Sequence, residues 1–392
     1  MKGHIKQRSK GSWTVWVELG RDPETGKRKQ QCFTVRGNKR EAEKRLTELL
    51  YQIDTGTFIK RSKLLLGEYL DQWLNDYCKA DLAPHTVQSY EFFVRRHIKP
   101  ALGQIPLTQL KPEHLQHLYA DKLSTGRRDG NGGLGNRSVR YIHTTLHKAL
   151  KSAVRLGMIA RNPADAVDVP KVKRHEMQVM SETDIHIFLE YAKSTFYYAL
   201  FYTALFTGMR RSELLALRWS GVDLLLCQAS INRTLHQLHN GDIIFQQPKT
   251  DKGRRLIALS PSTAVVLKEH REAQEKVSQA LGMTISEDDL VFCRYDGKPL
   301  LPDSITQAWR NLSHRCGLKG IRLHDARHTH ASLMLKQGIH PKIVQERLGH
   351  ASIQITLDTY SHVAPGLQQA AALKFDEVFA SRHDNEAVKK VH

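Results

Sequence analysis

The sequence predicts a multidomain α+β protein: a small three-stranded β-sheet plus one helix at the N terminus, an all-helical middle, and a mixed, mainly helical C-terminal domain with a small antiparallel sheet. A chain of 392 residues exceeds one ordinary hydrophobic core, since domains hold roughly 100 to 200 residues. Strand-like alternation is confined to residues 12–35 and 229–260, and most other segments have helical spacing. We expect domains at 1–60, 61–165 and 181–375, a linker at 166–180 and a tail at 376–392.

The N-terminal domain is predicted from alternation followed by helical spacing. "SWTVWVELG" and "QCFTV" alternate apolar and polar residues, and "NKREAEKRLTELLYQI" has the 3.6-residue spacing of an amphipathic helix. Residues 1–60 hold 14 Lys and Arg and 7 Asp and Glu, a net charge of +7. A solvated face explains most single charge runs, but this excess on strands with Arg28, Lys29 and Arg36 favours a surface that contacts nucleic acid.

The middle of the chain contains four helical patterns with no convincing strand between them. They are "LLLGEYLDQWLNDY", "APHTVQSYEFFVRRHI", "KPEHLQHLYADKL" and "RSVRYIHTTLHKALKSAVRLGM". Between the last two, "GNGGLG" fits the G-x-G-x-x-G dinucleotide fingerprint, which needs a preceding strand and an acid about 20 residues later. Here a helix precedes, and Arg155 stands where the acid should be. We interpret these glycines as a flexible connection.

The C-terminal domain begins at Ser181, a good N-cap for the helix "ETDIHIFLEYA". "STFYYALFYTALFTGMRRSELLALRW" predicts two helices with a break at Gly208. "ASINRTL", "DIIFQQPKT" and "RRLIALS" predict three short strands, with a turn at 251–253 before the last. Helices are expected again from Ser262 onward.

The whole chain is strongly basic. It holds 59 Lys and Arg and 40 Asp and Glu, a formal net charge of +19. Such an excess favours a polyanionic partner, most simply DNA, bound through counterion release. A basic chain could also bind an acidic membrane, but no apolar run reaches the roughly 18 residues of a membrane span, and no lipidation signal occurs. We therefore expect a nucleic-acid partner and no membrane.

Cysteine usage and the N-terminal residues predict the compartment. The five cysteines are odd in number, far apart and without a CxxC pair, which argues against a disulfide framework or a zinc finger. The start, "MKGHIKQRSKGSW", is too polar for a secretory signal. These features predict a reducing cytoplasm, with association with the nucleoid when the protein is bound to DNA.

Five short segments follow one another in the C-terminal domain: "TGMRRSELLALRW", "PKT", "HDARHTH", "LGH" and "DTY". A lone tyrosine such as Tyr360 usually packs its ring and hydrogen-bonds its hydroxyl. Taken together, however, the segments are far more specific than any one of them. With them the chain resembles the tyrosine recombinases, specifically the phage-type and conjugative-transposon integrases.

The resemblance implies a catalytic set of six residues. We expect no cofactor, and charge neutralisation by arginines would make a metal unnecessary. The set is Arg210, Lys249, His324, Arg327, His350 and Tyr360. It also implies a function: site-specific recombination that integrates and excises a mobile element or prophage through a 3′-phosphotyrosyl intermediate. The N-terminal sheet resembles an arm-type DNA-binding domain, and the helical domain resembles a core-type one. Implied partners are double-stranded DNA, a homo-tetramer on that DNA, an excision or directionality factor and a host DNA-bending protein.

The chemistry explains these residue types. Two guanidiniums, Arg210 and Arg327, can meet the non-bridging oxygens of a phosphate under attack. His324 lies three residues before Arg327, so the two share a helix face at a positive helix start, and imidazoles can donate or pass protons. Lys249 is the expected general acid for the departing 5′ oxygen. Glu213 could orient Arg210, although a surface ion pair would be the simpler interpretation without the resemblance.

Other basic residues nearby match no catalytic position. We expect His328 and His330 to be structural or to point elsewhere, and Arg211, Arg254 and Arg255 to contact the DNA backbone or solvent. "HDARHTH" lacks the H-E-x-x-H metal pattern.

Two alternative functions stay open on the sequence. A DNA-binding regulator would explain the charge but would not need Tyr360, Lys249 and two spaced arginines. A type IB-like topoisomerase would use the same chemistry but would not need an N-terminal DNA-binding sheet. In the tail, Leu367, Ala371, Phe375 and Val378 form one apolar stripe, which we expect to dock on a neighbouring subunit.

Overall fold

The structure is a computed structural model that describes residues 3–21, 26, 28–55, 63–127, 130–172, 177–248, 251–360, 372–373 and 375–376. The chain forms two compact units, Met1–Lys173 and Arg174–His392. The first unit contains two separate hydrophobic clusters, one built on the N-terminal strands and one on the helices that follow. The three-domain division with its linker therefore stays a prediction, whereas the division near residue 173 is observed.

The N-terminal sheet and helix form as predicted. The antiparallel strands are β1 (Gly3–Ser9), β2 (Ser12–Arg21) and β3 (Arg28–Arg36), in the order β1-β2-β3, followed by the helix α1 (Lys39–Asp54). Alternation on β2 buries Val15 and Val17 against Ala42 and Leu49 of α1. Asn38 caps the helix by accepting from the backbone N–H of residue 41.

The rest of the first unit is helical, and no strand occurs in its described residues between 63 and 172. Its helices are α2 (Leu66–Trp73), α3 (Lys79–Asp81), α4 (Pro84–Phe93), α5 (Lys99–Leu102), α6 (Pro112–Thr125) and α7 (Asn136–Arg155). π-helical turns at 74–78 and 94–98 join α2 to α3 and α4 to α5. The glycine-rich segment follows α6, with no strand before it, which fits a connection and not a dinucleotide site.

The second unit is mixed and mainly helical, as predicted. Its helices are α8 (Glu182–Lys193), α9 (Tyr198–Thr207), α10 (Arg211–Leu214), α11 (Pro261–Ala280), α12 (Pro302–Arg315), α13 (Leu323–Lys336), α14 (Pro341–Leu348) and α15 (Ile353–Tyr360). Its strands are β4 (Val222–Asp223), β5 (Gln228–Ile231), β6 (Thr234–Gln237), β7 (Ile243–Gln246) and β8 (Arg255–Ala258). They form an antiparallel sheet in the order β4-β5-β8 and a separate hairpin, β6-β7. Along the described part of the chain, no helix is long and apolar enough to cross a membrane.

One strand prediction is wrong. "ASINRTL" was expected to be a single strand, but the chain breaks between β5 and β6, which belong to different sheets. The buried alternation of Ala229 and Ile231 resumes only at Leu235, because Arg233 occupies the intervening position. Its guanidinium lies over the Phe245 ring, 4.5 Å from the ring centroid, and this contact keeps the cation out of the core.

Two hydrophobic clusters position the functional residues of the second unit. The larger one is centred on Trp309, whose ring lies 4.3 Å from Phe188 and 5.1 Å from Phe201. The smaller one holds α13, α14 and α15 together through buried residues that include Val344, Leu348 and Tyr360. Tyr360, the last residue of α15, is therefore packed against α13 and α14.

We predict that Trp309→Ala lowers the free energy of unfolding by about 3–5 kcal/mol, because a fully buried indole is replaced by a cavity. Trp309→Phe, which keeps an aromatic ring against Phe188, should cost less. Urea unfolding followed by circular dichroism measures both. Leu225→Ala is the matched control, since Leu225 is 96% exposed, and a loss as large as that of Trp309→Ala there would contradict the assignment of the core.

Candidate active site

A sharp corner between α9 and α10 positions Arg210. Gly208 ends α9 in the left-handed conformation, with a φ of 65°, and Arg210 is the N-cap of α10. Arg210 donates to Glu213 twice, from its backbone N–H and from its guanidinium, each at 2.8 Å. The side chain of Arg210 remains 37% exposed, so its guanidinium can reach a ligand while the carboxylate holds it in place.

Glu213 is a buried carboxylate shared by two arginines. The side chain of Arg255, 7% exposed, donates to both carboxylate oxygens of Glu213, at 2.9 and 3.1 Å. Burial alone would raise the pKa of Glu213, but the hydrogen bonds and charge of Arg255, with the charge of Arg210, lower it below its usual value. The predicted orienting role of Glu213 fits this geometry. The expectation that Arg255 contacts DNA or solvent is wrong, because its guanidinium is needed to balance a buried anion.

Arg327 is a buried cation on α13, only 3% exposed. Its guanidinium donates to the carbonyl oxygens of Gly208 and Leu348, at 2.8 and 2.6 Å, and in the described part of the chain no carboxylate pairs with it. Arg210 donates to the next carbonyl, that of Gly349, at 3.3 Å. Burial and the charge of Arg210 lower the pKa of Arg327 to about 9. The cluster therefore holds more positive charge than it balances, and a bound anion would relieve the repulsion.

Gly349 makes this arrangement of carbonyls possible. It ends α14 in the left-handed conformation, with a φ of 66°. A Cβ at this position would lie 2.9 Å from both the Arg255 guanidinium and the carbonyl oxygen of Lys252, so no larger residue fits. The Lys252 ammonium donates to the carbonyl of Ala351 at 2.7 Å, which fastens the segment before β8 beside the turn that contains His350.

His350, which directly follows Gly349, packs beside Tyr360. His350 is 9% exposed, and its Nδ1 lies 2.9 Å from the Thr356 hydroxyl. Its ring is nearly parallel to that of Tyr360, with a centroid distance of 6.3 Å. Burial and the charge of Arg327 lower the pKa of His350 to about 3, and burial raises the pKa of Tyr360 to about 12. At neutral pH the imidazole is neutral and the phenol is protonated.

His324 and His328 lie one helical turn apart on α13. The His324 ring is exposed and meets the His328 ring edge-on, with a centroid distance of 4.8 Å. Partial desolvation and the charge of Arg327 lower the pKa of His324. The hydroxyl of Tyr360 lies 2.9 Å from Nδ1 of His328. We expected His328 to be structural or to point elsewhere; its ring points at the Tyr360 hydroxyl, and its i, i+4 spacing from His324 places the two histidines on one helix face without predicting that contact.

His330 is structural, as expected. Its Nε2 accepts from Nε of Arg347 at 2.9 Å, so Nδ1 carries the proton and donates to the carbonyl of Leu205 at 3.0 Å. Arg211 is exposed to solvent, in keeping with expectation, and its guanidinium also donates to the carbonyl of Pro302 at 3.0 Å and to the Thr306 hydroxyl at 2.5 Å.

The structure brings five of the six predicted residues into one region: Arg210, Arg327 and His350 around the Leu348–Gly349 carbonyls, with Tyr360 and His324 beside them. Lys249 lies outside the described residues. The arrangement offers guanidinium donors, neutral imidazoles and a phenol to one ligand. Within the described ranges, no group of three or more His, Cys, Asp or Glu side chains could hold a metal ion.

Comparison with protein families gives two matches. The profile of the "Phage integrase family" matches residues 178–366, and that of the "Phage integrase, N-terminal SAM-like domain" matches residues 65–124. The first match contains all six predicted catalytic positions, and the second falls on the helical part of the first unit.

Full-length relatives and solved structures agree with these matches. The chain is 27% identical to the ICEBs1 integrase of Bacillus subtilis, over 95% of this chain and 99% of the relative, and 27% identical to a XerC-like tyrosine recombinase of Caldanaerobacter subterraneus, over 96% and 99%. Its fold is similar to that of the Tn1549 transposon integrase in complex with circular intermediate DNA, with a TM-score of 0.65, 17% identity and coverage of 79% of this chain and 99% of the other. A lambda integrase dimer bound to a core site gives a TM-score of 0.57 at 20% identity, with coverage of 91% and 93%.

We predict that Glu213→Gln destabilises the second unit by about 3 kcal/mol or more, because removing the carboxylate leaves the Arg255 cation buried and unpaired. The midpoint of urea unfolding measures this loss. Glu346→Gln breaks an exposed pair with Lys342 and should cost far less. Equal losses for the two variants would contradict the assigned role of Glu213.

We predict a loss of stability in acid that depends on His330. Burial lowers the pKa of His330 to about 3, whereas the unfolded chain has a histidine pKa near 6.5. The neutral ring therefore stabilises the fold fully above pH ~6.5, and this contribution is lost as the pH falls towards 3, by at most about 1.4 kcal/mol per pH unit. His330→Asn should flatten the dependence of the melting temperature on pH between 7 and 5. An unchanged slope would show that His330 does not titrate in this way.

Proposed function

This chain belongs to the phage integrase family of tyrosine recombinases and is a tyrosine-type site-specific DNA recombinase, and we propose that Tyr360 is its nucleophile. One observation supports this assignment above all others. The Tyr360 ring is packed beside His350, and His350 follows directly on the two carbonyls that hold Arg210 and Arg327. A phosphate gripped by these guanidiniums would lie next to the phenol.

The first step is recognition of the scissile phosphate. A guanidinium has five N–H donors, and the contacts described above use two on Arg327 and two on Arg210. The remaining donors can bind the non-bridging oxygens. Attack by an oxygen nucleophile places additional negative charge on those oxygens, and preorganised cations lower the barrier by stabilising this charge. His324, exposed at the first turn of α13, is positioned to donate to the same phosphate.

The second step is transesterification. The phenol oxygen of Tyr360 forms a bond to phosphorus while the bond from phosphorus to the 5′ oxygen breaks. The products are a 3′-phosphotyrosyl linkage and a free 5′-hydroxyl. A 5′-hydroxyl from a partner strand then attacks the same phosphorus and displaces Tyr360. One phosphodiester is exchanged for another, so no ATP is consumed.

We assign Lys249 as the general acid for the departing 5′ oxygen. The assignment is supported by the "PKT" motif between β7 and β8 and by the Lys252 contact with Ala351, which holds the end of this connection next to His350. An ammonium near two or three guanidiniums gives up its proton more easily than an isolated lysine. The long side chain of a lysine suits this role.

The partners follow from the same family. Similar folds have been solved as a lambda integrase dimer on a core site and as a tetramer on a Holliday junction. We extend this to the present chain: four protomers on two duplexes, with residues 61–165 on core-type sequences and residues 1–60 on arm-type sequences. An excision or directionality factor and a host DNA-bending protein would set the direction of recombination. Binding to chromosomal DNA would place the protein at the nucleoid.

The alternatives fit less well. A regulator that only binds DNA gives no reason for Arg327, a buried cation that pairs with no carboxylate among the described residues, to be held near a buried tyrosine. A topoisomerase gives no reason for the separate basic sheet of residues 3–36. Relatives that match nearly the whole chain include integrases and a XerC-like recombinase.

The decisive experiment uses a nicked DNA substrate whose short 5′-ended fragment diffuses away after cleavage, so that the covalent complex accumulates. Tyr360→Phe removes only the hydroxyl, so DNA affinity and its salt dependence should stay near those of wild type while the adduct disappears. Arg210→Ala keeps the nucleophile and should slow adduct formation by roughly 10²–10³-fold, the usual effect of losing one transition-state donor.

Adduct formation by the wild-type protein and by the variants should be measured with and without EDTA. Since two guanidiniums neutralise the phosphate, we expect EDTA to leave the wild-type rate unchanged. An adduct formed by Tyr360→Phe would show that another residue is the nucleophile. Wild-type activity abolished by EDTA would indicate a metal-dependent nuclease instead.

A further inference from the structure

We propose that His328 is a further catalytic residue, the general base that receives the phenol proton of Tyr360 as its oxygen attacks phosphorus. This inference rests on the proposed function of Tyr360. It gives a role to a histidine that lies outside the set of six predicted catalytic residues.

The geometry is that of a nucleophile and its base. Nδ1 of His328 and the Tyr360 hydroxyl are 2.9 Å apart, within the range required for proton transfer. The rings approach to a centroid distance of 5.6 Å at an angle of 55°. The contact joins α13 to the end of α15, two elements held together by the cluster that buries Tyr360, so it does not depend on a mobile loop.

Other acceptors are poorly placed. Tyr360 is 1% exposed, so bulk water has little access to its hydroxyl. Nδ1 of His350 already contacts the Thr356 hydroxyl, and the His350 ring is stacked parallel to the tyrosine at 6.3 Å instead of facing its oxygen. The carboxylate of Asp325 accepts from the Arg322 guanidinium and backbone at 2.8–3.0 Å. Of these groups, only His328 presents a nitrogen to the phenol.

The charge state of His328 suits an acceptor. Burial and the neighbouring His324 lower the pKa of His328 to about 4, so the ring is neutral at neutral pH. The role requires the tautomer with its proton on Nε2, which leaves Nδ1 as the acceptor. Groups that face the ring are His324, Asp325, Arg327, Arg322 and Tyr360.

A weak base is sufficient because the acidity of the phenol changes during the reaction. As the oxygen bonds to phosphorus, its electron pair is withdrawn and its proton becomes strongly acidic, so transfer to His328 becomes favourable late in the step. The incoming phosphate also brings negative charge, which stabilises the imidazolium. The proton therefore moves from Tyr360 to Nδ1 as the O–P bond forms, and the 5′ oxygen takes its proton from a different group. In the rejoining step His328 returns the proton to the departing phenol.

The test separates proton transfer from positioning. His328→Ala removes both the hydrogen bond and the base, whereas His328→Asn can place an amide oxygen near the position of Nδ1 but cannot accept a proton. We expect both variants to bind DNA like wild type and to form adduct roughly 10²-fold or more slowly, within the usual range for a lost general base. His186→Asn, at an exposed histidine of the same unit, is the matched control and should cleave at the wild-type rate.

A substrate with sulfur in place of the 5′ bridging oxygen assigns the proton to the attacking side. A thiolate leaves without protonation, so this substrate should restore most of the rate of Lys249→Ala, the variant that lacks the proposed acid. It should not restore His328→Ala or His328→Asn, because the phenol proton must still be removed.

Three results would overturn the proposal. The first two are cleavage by His328→Asn within a few-fold of the wild-type rate and near-normal cleavage by His328→Ala. The third is a cleavage rate of the His328 variants on the sulfur substrate that recovers as completely as that of Lys249→Ala. Should His328→Ala fail to bind DNA, His328→Asn decides alone. The Tyr360→Phe variant distinguishes the two hypotheses. If it still forms the covalent adduct, the proposed function is refuted. If it forms no adduct but the His328 variants cleave normally, only the role of His328 is refuted.

Discussion

Two neighbouring carbonyls, those of Leu348 and Gly349, hold the guanidiniums of Arg327 and Arg210, and the rest of the site depends on this constraint. A buried cation is costly unless its donors are satisfied. Arg327 is satisfied by carbonyl dipoles and has no carboxylate partner among the described residues, so its charge is solvated but not cancelled. A bound anion would neutralise the charge of Arg327. A phosphodiester, which brings one negative charge and two non-bridging oxygens, matches that requirement.

Burial and this excess of charge act together on the protonation of the neighbouring groups. Burial and the arginine cluster keep the His350 imidazole neutral, and burial keeps the Tyr360 phenol protonated despite the nearby cations. In the free protein the Tyr360 phenol, which we propose as the nucleophile, is therefore protonated, hydrogen-bonded to His328 and shielded from solvent. Binding of an anion changes the balance at all of these groups together. Under the proposed assignment, DNA binding and activation of Tyr360 are coupled through these charges.

The surrounding fold exists largely to bring distant segments to one turn. Glu213 lies in α10, Arg255 is the first residue of β8 and Gly349 follows α14. Hydrogen bonds join all three regions: Arg255 donates to Glu213 and to the carbonyl of Arg347, and Arg210 donates to the carbonyl of Gly349. Glu213 supplies negative charge to the arginine cluster, and it allows Arg210 and Arg255 to lie close to each other. Glycine at 208 and 349 permits the left-handed turns that expose the required carbonyls.

The sequence by itself determined the α+β organisation, the strands and helix within residues 12–54, and the motif order that placed Arg210, Arg327, His350 and Tyr360 in one site. Periodicity and motif spacing are local properties, and they survive in any correct fold. Only the tertiary structure decided that Arg255 pairs with Glu213, that "ASINRTL" divides between two sheets, and that His328 and not only His350 meets Tyr360. His328 and Tyr360 are 32 residues apart in sequence, and Glu213 and Arg255 are 42 apart. Which of these groups become buried together depends on how whole helices and strands pack, and no local sequence pattern records that.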